Sequence, residues 1–482
     1  MTTMPGRFRV DLDRSVRTFR DGTVLVGGHP GRVITLSPEG ASTLRSLLTD
    51  GTASAAEGRL ADRLITSGMA HPRPTGQKTS AVERSLTVVV PVHDRSDLLD
   101  RCLESLGSTA PVVVVDDGSH HPAAVAEVCR RHRARLIVRT TNGGPASARN
   151  DALATIDTEL VAFVDSDCTV TEGWFGRLAW LFDDPGIAAV APRVRPRPSE
   201  RTLGRSTLAR FSDGRSPLDL GPDPSEVGPG RLVRYVPSAS LVVRRSVLGE
   251  GFDAGLRVGE DVDLVWRLVA EGWRVRFEPS VVVFHQEPTS WKGWFSRRYR
   301  YGTSAGALSK RHPGRLAPVE LRPWPTAAAV AALCGRPRTV MMIIGGLTTV
   351  LAQSVRGRGI PAWLIIRWSV GSVGWTVVGL GKALTVLTGP ALILATLRGR
   401  RVATAVLVLL IAPPIVEWLQ RRPPLDPIRW SMASVVDDMS YGTGVWAGCG
   451  RTRSFGPLVP VLRRRGSIDP LHPVPPDASE ML

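Results

Sequence analysis

Two pairs of carboxylates follow apolar stretches of strand length in this sequence. Asp116 and Asp117 follow VVVV, and Asp165 and Asp167, separated by one serine, follow LVAFV. Carboxylates spaced in this way can both face a divalent cation, because Mg²⁺ and Mn²⁺ prefer oxygen ligands and often bridge a carboxylate to substrate phosphates. The first pair can accept hydrogen bonds from a base edge or a ribose hydroxyl. Taken alone, each pair is also compatible with a plain turn or a helix cap.

Further polar residues with chemical potential lie in a glycine-containing loop and after later apolar stretches. The loop NGGPASARN carries Gly143, where backbone can approach a ligand, and Arg149, which can reach a diphosphate. Glu260 and Asp261 begin an amphipathic helix, where a carboxylate can take a proton from a hydroxyl. The helix dipole also favours acids at this position, so capping is the alternative role. His285 follows an apolar strand and is either structural or a ligand for a metal or phosphate.

The elements that must position these side chains alternate between two types across residues 85–290. Strand-length apolar runs such as LTVVVPV, PVVVVDD and LVAFV are separated by stretches with helical spacing, such as SDLLDRCLESL and AAVAEVCRRH. This alternation predicts an α/β domain with a mostly parallel sheet covered on both faces. Ligands of such sheets bind beyond the carboxyl ends of the strands, where the acidic residues are expected.

The motifs together resemble the inverting glycosyltransferases of family 2. VVVVDDGS, NGGPASARN, LVAFVDSDC and GEDVDLVWRLVAEGWRVRFEPSVVVFH occur in the family's order over about 200 residues. The resemblance implies a nucleotide-binding domain with the GT-A-type doubly wound fold. It also implies a nucleotide-sugar donor and an Mg²⁺ or Mn²⁺ cofactor.

The resemblance also implies roles for individual residues. Asp261 matches the usual general base, and Glu260 is expected to support it. Asp165 and Asp167 match the family's DxD motif and are implied as metal ligands. His285 matches a histidine often found after the last core strand and is implied as a further ligand. The residues assigned to the nucleotide sugar are Pro91, Asp116, Asp117, Gly143, Arg149 and Asp165.

An aromatic and basic stretch, WKGWFSRRYRYG, follows the last predicted strand. It stands where processive members of the family carry QxxRW, and the literal motif is absent, which argues against the processive mechanism. The acceptor side is assigned to this stretch and to one upstream serine, namely Ser238, Trp291, Trp294, Arg297 and Arg298.

The chain is predicted to contain a small N-terminal unit, a linker, the transferase domain, an apolar helical region and a basic, Pro-rich tail. The predicted bounds are 1–75, 76–84, 85–320, 321–430 and 431–482. The N-terminal unit combines short strands with two helices, a winged α+β pattern that resembles PqqD-like peptide-binding domains. We therefore expect it to dock a peptide or cofactor.

The apolar region has four strongly apolar stretches separated by arginine-rich breaks. Most of these stretches are shorter than the roughly 20 apolar residues that a spanning helix needs, so spanning, interfacial and buried arrangements all stay open. We expect association with the cell membrane and a catalytic domain on the cytoplasmic side. A peripheral cytoplasmic protein is the alternative.

Composition excludes several other classes of protein. The 482 residues are 43% apolar and 22% charged, which excludes a largely disordered or collagen-like chain. Five widely spaced cysteines argue against a disulfide scaffold and a thiolate zinc site. The N-terminal residues show no apolar run, so no cleavable signal peptide is expected. A net charge of +17 favours anionic lipid and phosphorylated substrates, whereas no aromatic–basic signature of nucleic-acid binding is apparent.

The arrangement of all these segments narrows the predicted function. It is similar to actinobacterial members of family 2 that glycosylate a peptide-derived redox cofactor, which implies transfer of glucose from UDP-glucose. One alternative is a membrane glycosyltransferase that acts on a lipid or a cell-envelope polysaccharide. Another is a non-catalytic scaffold that binds peptides or lipids, which the intact acids at each strand end disfavour.

Overall fold

The computed structural model describes residues 8–51, 54–74, 85–108, 110–198 and 206–463. The chain divides into two compact units. Unit 1 contains residues 76–229 and 233–291, and unit 2 contains residues 7–75 together with residues 292–482. The predicted domain bounds differ from this division in two ways: the compact catalytic unit ends at Trp291 rather than near residue 320, and the N-terminal and C-terminal regions belong to one unit.

The N-terminal part of unit 2 combines short strands with two helices, as the sequence predicts. Its elements are β1 (Phe8–Leu12), β2 (Arg17–Phe19), β3 (Val24–Gly27), β4 (Arg32–Thr35), α1 (Pro38–Thr49), α2 (Ala55–Thr66) and β5 (Ala70–Pro74). Strands β2 to β4 form one antiparallel sheet, and β1 pairs with β5. Ser37 caps α1, because its hydroxyl accepts a hydrogen bond from the Gly40 backbone N–H at 3.1 Å.

Unit 1 is built on a nine-stranded sheet. Its strands are β6 (Leu86–Val92), β7 (Val112–Asp117), β8 (Arg135–Arg139), β9 (Leu160–Val164), β10 (Cys168–Val170), β11 (Ile187–Pro196), β12 (Ser225–Glu226), β13 (Ser240–Arg244) and β14 (Arg274–His285). The spatial order is β10-β14-β11-β13-β9-β6-β7-β8, with β12 on β14. The helices are α3 (Ser96–Leu106), α4 (Pro122–Arg131), α5 (Pro145–Leu153), α6 (Gly176–Ala179), α7 (Thr207–Arg215) and α8 (Glu260–Ala270).

This architecture confirms the predicted α/β class with the GT-A-type sheet. Strands β9, β6, β7 and β8 are parallel neighbours, so their carboxyl ends lie along one edge. The sheet is more mixed than predicted, since β13 runs antiparallel between β9 and β11. Apolar side chains from the strands and from α3, including Val88, Val90 and Leu99, form the core that holds this edge in place.

The rest of unit 2 is mainly helical. Its elements are α9 (Trp291–Arg311, whose first residue belongs to unit 1), β15 (Glu320–Leu321), α10 (Pro323–Leu333), α11 (Pro337–Ser354), α12 (Ala362–Ala395), α13 (Arg400–Arg421), α14 (Pro427–Thr452) and β16 (Val461–Leu462). Helix α12 unites two of the four predicted apolar stretches. Its backbone is non-helical at Thr388, two residues before Pro390, because proline clashes with the preceding turn.

Helix α14 occupies much of the segment that the sequence predicts to be a tail. Residues 427–452 form a continuous helix that buries Trp430 and Tyr441, so the segment 431–482 is not a tail throughout. Its serine, aspartate and glycine content hides the helical pattern, because glycine and aspartate are weak helix formers in isolation. Asp426 caps its first turn by accepting from the Arg429 N–H at 2.9 Å.

Helices α9 and α14 approach each other through glycines. A Cβ atom at Gly302 would overlap with the Tyr441 carbonyl oxygen, and one at Gly444 would overlap with the Tyr299 carbonyl oxygen. The next turn of each helix repeats this contact through a further glycine four residues on, Gly306 and Gly448. Small residues at this spacing let two helix backbones come into direct contact.

Among the residues that the structure describes, two helices are long and apolar enough to cross a membrane, by length and composition alone. They are α12, extended to Arg398, and α13. Helix α11 buries none of its residues completely, and it exposes Met341, Met342 and Val350. Large exposed apolar surfaces of this kind mark interaction sites for protein or lipid.

Candidate active site

The acidic residues singled out in the sequence come together in unit 1 at the carboxyl ends of the strands. Asp165 and Asp167 lie in the turn directly after β9, and Asp116 and Asp117 are the last two residues of β7. His285 ends β14, where it pairs with Cys168 of β10. The turn between β9 and β10 therefore places Asp167 and His285 next to each other.

Arg149 connects the DxD turn to the acidic helix. From α5 its two terminal nitrogens contact Asp165 Oδ1 at 2.7 Å and Glu260 Oε1 at 2.8 Å. Its guanidinium also stacks over the Phe252 ring, 5.2 Å from the centroid. The arginine is 2% exposed. Its charge is used inside the protein here, so direct contact with a diphosphate stays a prediction.

The Glu260–Asp261 pair begins α8, which follows Gly259 in the left-handed conformation. Asp261 accepts hydrogen bonds from the backbone N–H groups of Ser238, at 3.2 Å, and Val262, at 2.8 Å. Burial raises the pKa of Asp261, although these hydrogen bonds and Arg149 oppose the rise. Burial and the charge of Asp261 raise the pKa of Glu260 to about 7, with Arg149 opposing. An ionised carboxylate with a raised pKa is a better proton acceptor.

Asp167 and His285 provide an oxygen and a nitrogen that face each other. His285 Nε2 lies 3.4 Å from Asp167 Oδ2, and on the other side of the ring Nδ1 lies 3.6 Å from Glu287 Oε1. Burial lowers the pKa of His285, but the two carboxylates outweigh it and raise the pKa to about 9. Burial tends to raise the pKa of Asp167, and His285 outweighs that effect and lowers it.

This donor set fits a divalent cation. Metal–ligand bonds of about 2.1 Å at right or tetrahedral angles place two ligand atoms about 3.0–3.4 Å apart, which is the separation seen between Asp167 Oδ2 and His285 Nε2. Asp165 and Asp167 each keep about a third of the side chain exposed, at 31% and 32%. A cation held there would therefore be accessible to a phosphate.

The residues assigned to the nucleotide have local structural partners. Both oxygens of Asp117 accept from the loop after β8, from the Gly143 N–H at 2.9 Å and the Gly144 N–H at 2.8 Å. Asp116 Oδ1 accepts from the Ser119 N–H at 2.9 Å, and its buried Oδ2 makes no hydrogen bond with any described residue. Asp117 thus shapes the glycine loop, and contact with a base or ribose stays a prediction.

Pro91, assigned to the nucleotide, and Ser238, assigned to the acceptor, also lie in unit 1. Pro91 lies in β6 opposite Val115 of β7, two residues beyond the ladder that β6 shares with β9. Its missing N–H is tolerated there, because strand ends need no further pairing. Ser238, assigned to the acceptor, is buried and supplies its backbone N–H to Asp261.

The aromatic and basic stretch does not form the exposed acceptor surface that its composition suggests. In unit 2, Trp294 is fully buried and donates its indole N–H to Asp437 at 2.7 Å. Arg298 is also buried, 3.0 Å from the same carboxylate, and Arg297 stacks over the Trp294 ring. Trp291, in unit 1, is half-buried against Phe211. Acceptor contact by Trp294 and Arg298 is therefore disfavoured, because helix packing occupies both side chains.

Two groups of side chains near the site were not predicted from the sequence. Glu287 lies two residues after His285. Residues two apart in an extended chain point to the same side, so this spacing could have indicated that Glu287 lies near His285. His93, Asp94 and His120, from the loops after β6 and β7, have ligand atoms within 4.8 Å of one another. The Asp94 carboxylate already accepts from the His120 backbone N–H at 2.6 Å, and exposed groups of this kind are common without a metal.

Comparison with known proteins gives the following similarities. The family model described as Glycosyl transferase family 2 matches residues 87–241. The pre-mycofactocin glycosyltransferase of Mycobacterium tuberculosis is 34% identical over 478 residues, which cover 96% of this chain and 99% of that protein. The succinoglycan biosynthesis protein ExoU of Rhizobium meliloti is 29% identical over 213 residues, covering 41% of this chain and 60% of that protein.

Among solved structures, the chain is similar to a mannosyltransferase from Pyrobaculum calidifontis in complex with GDP-Man and Mn²⁺. That similarity has a TM-score of 0.37 and 20% sequence identity, and it covers 68% of this chain and 87% of that chain.

Proposed function

This chain belongs to glycosyl transferase family 2, and we propose that it is a metal-dependent, inverting enzyme that moves glucose from UDP-glucose onto a peptide-derived redox cofactor of the mycofactocin type. Family membership rests on the similarity to the pre-mycofactocin glycosyltransferase along nearly the whole chain. The chain is therefore a glycosyltransferase. The name of that relative, pre-mycofactocin glycosyltransferase, supports the proposed acceptor, and the site geometry supports the proposed mechanism.

The environment of Asp261 is the observation that carries the mechanism. Two backbone N–H groups, from Ser238 and Val262, aim its carboxylate, while burial raises its pKa. In the proposed reaction the oxygen of an acceptor hydroxyl attacks the anomeric carbon of the glucose, and the proton of that hydroxyl passes to Asp261. The bond from that carbon to UDP breaks at the same time, so a single displacement inverts the configuration.

Asp165, Asp167 and His285 would hold the divalent cation. The cation would supply positive charge against the diphosphate of the departing UDP. Arg149 keeps the carboxylates of Asp165 and Glu260 together through its two terminal nitrogens. It thereby links the proposed metal turn to the helix that begins with the proposed base.

The nucleotide part of the donor would lie at the ends of β6 and β7. We assign Pro91, Asp116 and Asp117 to this part, and Gly143 to the loop that approaches it. The buried, unpartnered Oδ2 of Asp116 supports this assignment, because a donor from a base or ribose would satisfy it.

The experiment that tests the proposal follows product formation by mass spectrometry. Full-length protein is incubated with Mn²⁺ or Mg²⁺, a panel of nucleotide sugars and the mature peptide-derived cofactor. We expect stepwise hexose additions from UDP-glucose that Asp167→Asn abolishes. Transfer from a different sugar nucleotide would show that the assignment of UDP-glucose as donor is wrong. Slow hydrolysis of UDP-glucose with no sugar added to the cofactor would show that the assignment of the acceptor is wrong.

A second candidate is a membrane glycosyltransferase with a lipid or cell-envelope acceptor. The length and apolar character of α12 and α13 favour it, together with the exposed apolar side chains of α11. These helices also support our proposal that the protein binds the cell membrane. We further propose that its catalytic domain lies on the cytoplasmic side. A lipid-linked hexose in cell extracts, with no glycosylated soluble cofactor, would favour this candidate.

We also propose that the N-terminal part of unit 2 docks the peptide-derived acceptor. The support is its combination of short strands and two helices, on which the expected similarity to peptide-binding domains rests. Deletion of residues 1–75 should raise the KM for the acceptor and leave that for UDP-glucose unchanged. Val24 and Val26 pack against Ile360 and Trp368, so circular dichroism must show that the helices persist in the deleted protein. An unchanged acceptor KM would contradict docking.

A further inference from the structure

We propose that Glu287, held by Ser216, is a positioning residue that orients His285 for binding of the divalent cation. The inference rests on the proposed metal role of His285 and adds two residues that the family motifs do not include. It concerns how this chain holds its own imidazole ring.

Glu287 lies on the opposite side of the His285 ring from Asp167. Its Oε1 is 3.6 Å from Nδ1, whereas Asp167 Oδ2 is 3.4 Å from Nε2. Both His285 and Glu287 are buried. The imidazole is therefore enclosed between two carboxylates, one at each nitrogen.

An imidazole that binds a cation through Nε2 must carry its remaining proton on Nδ1. A carboxylate facing Nδ1 selects that tautomer, fixes the ring plane and raises the basicity of the ligating nitrogen. The buried Nδ1 makes no hydrogen bond with any described residue, and Glu287 is the carboxylate beside it. A movement of a few tenths of an ångström would bring the pair within hydrogen-bond distance, about 3.2 Å.

Ser216 fixes the position of Glu287. Its hydroxyl donates to Glu287 Oε1 at 2.6 Å, and both side chains are buried. Ser216 directly follows α7, and its own hydroxyl oxygen is 3.4 Å from the Leu218 N–H. The carboxylate is thus tied to a segment distant in sequence from β14, which restricts its rotation.

The backbone around Glu287 is tied to the turn that carries Asp167. The N–H of Gln286 donates to the Asp167 carbonyl oxygen at 3.0 Å, immediately between His285 and Glu287. Because residues two apart in extended chain point to the same side, this bond presents both side chains together. The geometry therefore couples the DxD turn, the histidine and the supporting carboxylate.

The test measures binding of Mn²⁺ to full-length protein in the presence of saturating UDP and without acceptor, so that no turnover is needed. Free Mn²⁺ is followed by its electron paramagnetic resonance signal. The variants are Glu287→Ala, Glu287→Gln, Ser216→Ala, His285→Ala and the double variant His285→Ala with Glu287→Ala.

Glu278→Gln is the matched control. Glu278 is a buried carboxylate of β14, the strand that ends two residues before Glu287, and its Oε1 accepts from the Ser280 N–H at 3.2 Å, so it has a local role away from His285. It reports the effect of removing a buried negative charge from a nearby segment of the chain. Circular dichroism checks that each variant is folded.

We expect Glu287→Ala to weaken Mn²⁺ binding about 10–100-fold, the usual effect of losing such a partner. Glu287→Gln should weaken it less, since an amide oxygen still accepts from Nδ1. The Mn²⁺ affinity of Ser216→Ala should lie between those of the wild type and Glu287→Ala. Glu278→Gln should bind Mn²⁺ like the wild type. In the His285→Ala background, Glu287→Ala should add less than about twofold, because a positioning residue acts only through the residue it positions.

Different results overturn different statements. If His285→Ala weakens Mn²⁺ binding but Glu287→Ala does not, the positioning role is wrong and the metal site stands. If Glu287→Ala weakens binding further in the His285→Ala background, Glu287 acts as a ligand or through its charge. If His285→Ala binds Mn²⁺ like the wild type, the metal assignment under the proposed function is wrong and the inference fails with it.

Discussion

Arg149 in unit 1 and Arg298 in unit 2 are both buried arginines that neutralise carboxylates. Arg149 contacts Asp165 and Glu260, and Arg298 contacts Asp437, which also accepts from Trp294. The two clusters use the same types of residue at similar distances. They differ in whether the carboxylates have any surface left for another molecule.

One of the two carboxylates that contact Arg149 is only partly enclosed. Asp165 keeps 31% of its side chain exposed, whereas Asp437 keeps 1%. The strand ends of unit 1 leave an edge of the sheet accessible. In unit 2, by contrast, the crossing of α9 and α14 buries the Asp437 carboxylate and Arg298. Buried ion pairs in a closed helix crossing are costly to desolvate, so they act on stability and specificity of packing rather than on ligands. Accessibility therefore separates the candidate site from the structural cluster.

The largest expected effect is the loss of the proposed base. Asp261→Asn should lower the rate of hexose transfer by about 10²–10⁴, because the amide cannot accept the proton of the acceptor hydroxyl. UDP binding, measured by isothermal titration calorimetry, should be retained. Asp263→Asn is the control, since Asp263 is a buried aspartate of α8 that pairs with Arg267 at 2.9 Å. Transfer by Asp261→Asn at the parental rate would show that the base lies elsewhere.

The second prediction concerns the closed cluster. Asp437→Ala should lower the free energy of unfolding by roughly 3–5 kcal/mol, because it leaves the buried Arg298 without its carboxylate. UDP binding by the protein that remains folded should stay normal. Denaturant unfolding in detergent measures the first quantity. A stable Asp437→Ala protein with impaired UDP binding would break the distinction between the two clusters.

Trp294→Phe should have a smaller effect on the same cluster. It removes the indole N–H that donates to Asp437 but keeps most of the ring, and Arg298 still neutralises the carboxylate. Loss of a hydrogen bond to a charged group lowers the free energy of unfolding by about 1.5–3 kcal/mol. The KM for the acceptor should not change. An increase in that KM with normal stability would restore Trp294 to the acceptor side.

The smallest expected effect is a shift in pH dependence. Activity needs ionised Asp261, so kcat/KM should fall as the pH is lowered through the apparent pKa of the pair. The charge of Asp261 raises the pKa of Glu260 to about 7, so Asp261 is the carboxylate of the pair that ionises first as the pH rises. Glu260 is therefore protonated in the pH range where Asp261 titrates, and Glu260→Gln replaces one neutral group by another. The acidic limb should move by less than about half a pH unit. A larger shift would show that Glu260 ionises together with Asp261.

The strand-end acids were predictable from sequence because the motif and the element coincide. Asp165 and Asp167 follow a fully apolar strand, and the alternation of strands with helices places such ends at one edge. Their hydrogen-bond partners were not predictable in the same way. Whether Arg149 turns toward a ligand or toward Glu260 depends on the approach of α5 and α8, which lie more than 100 residues apart.

The helical region shows the opposite case. WKGWFSRRYRYG has the composition of an exposed binding surface, yet Trp294 and Arg298 are buried against Asp437. Composition alone could not reveal this, because the partner lies in a segment predicted to be a tail. The glycines of α9 and α14 carried the available signal, since each helix has two glycines four residues apart.

The glycine-mediated crossing of α9 and α14 has a consequence for how the protein is made. Trp294 and Asp437 are 143 residues apart in the chain, and ribosomes add about 5–20 residues per second, so α9 is synthesised roughly 7–30 s before its partner. Helices α12 and α13 emerge during that interval. The nascent chain therefore carries an unmatched arginine-rich helix during the synthesis of these 143 residues, until α14 emerges from the ribosome and completes the crossing.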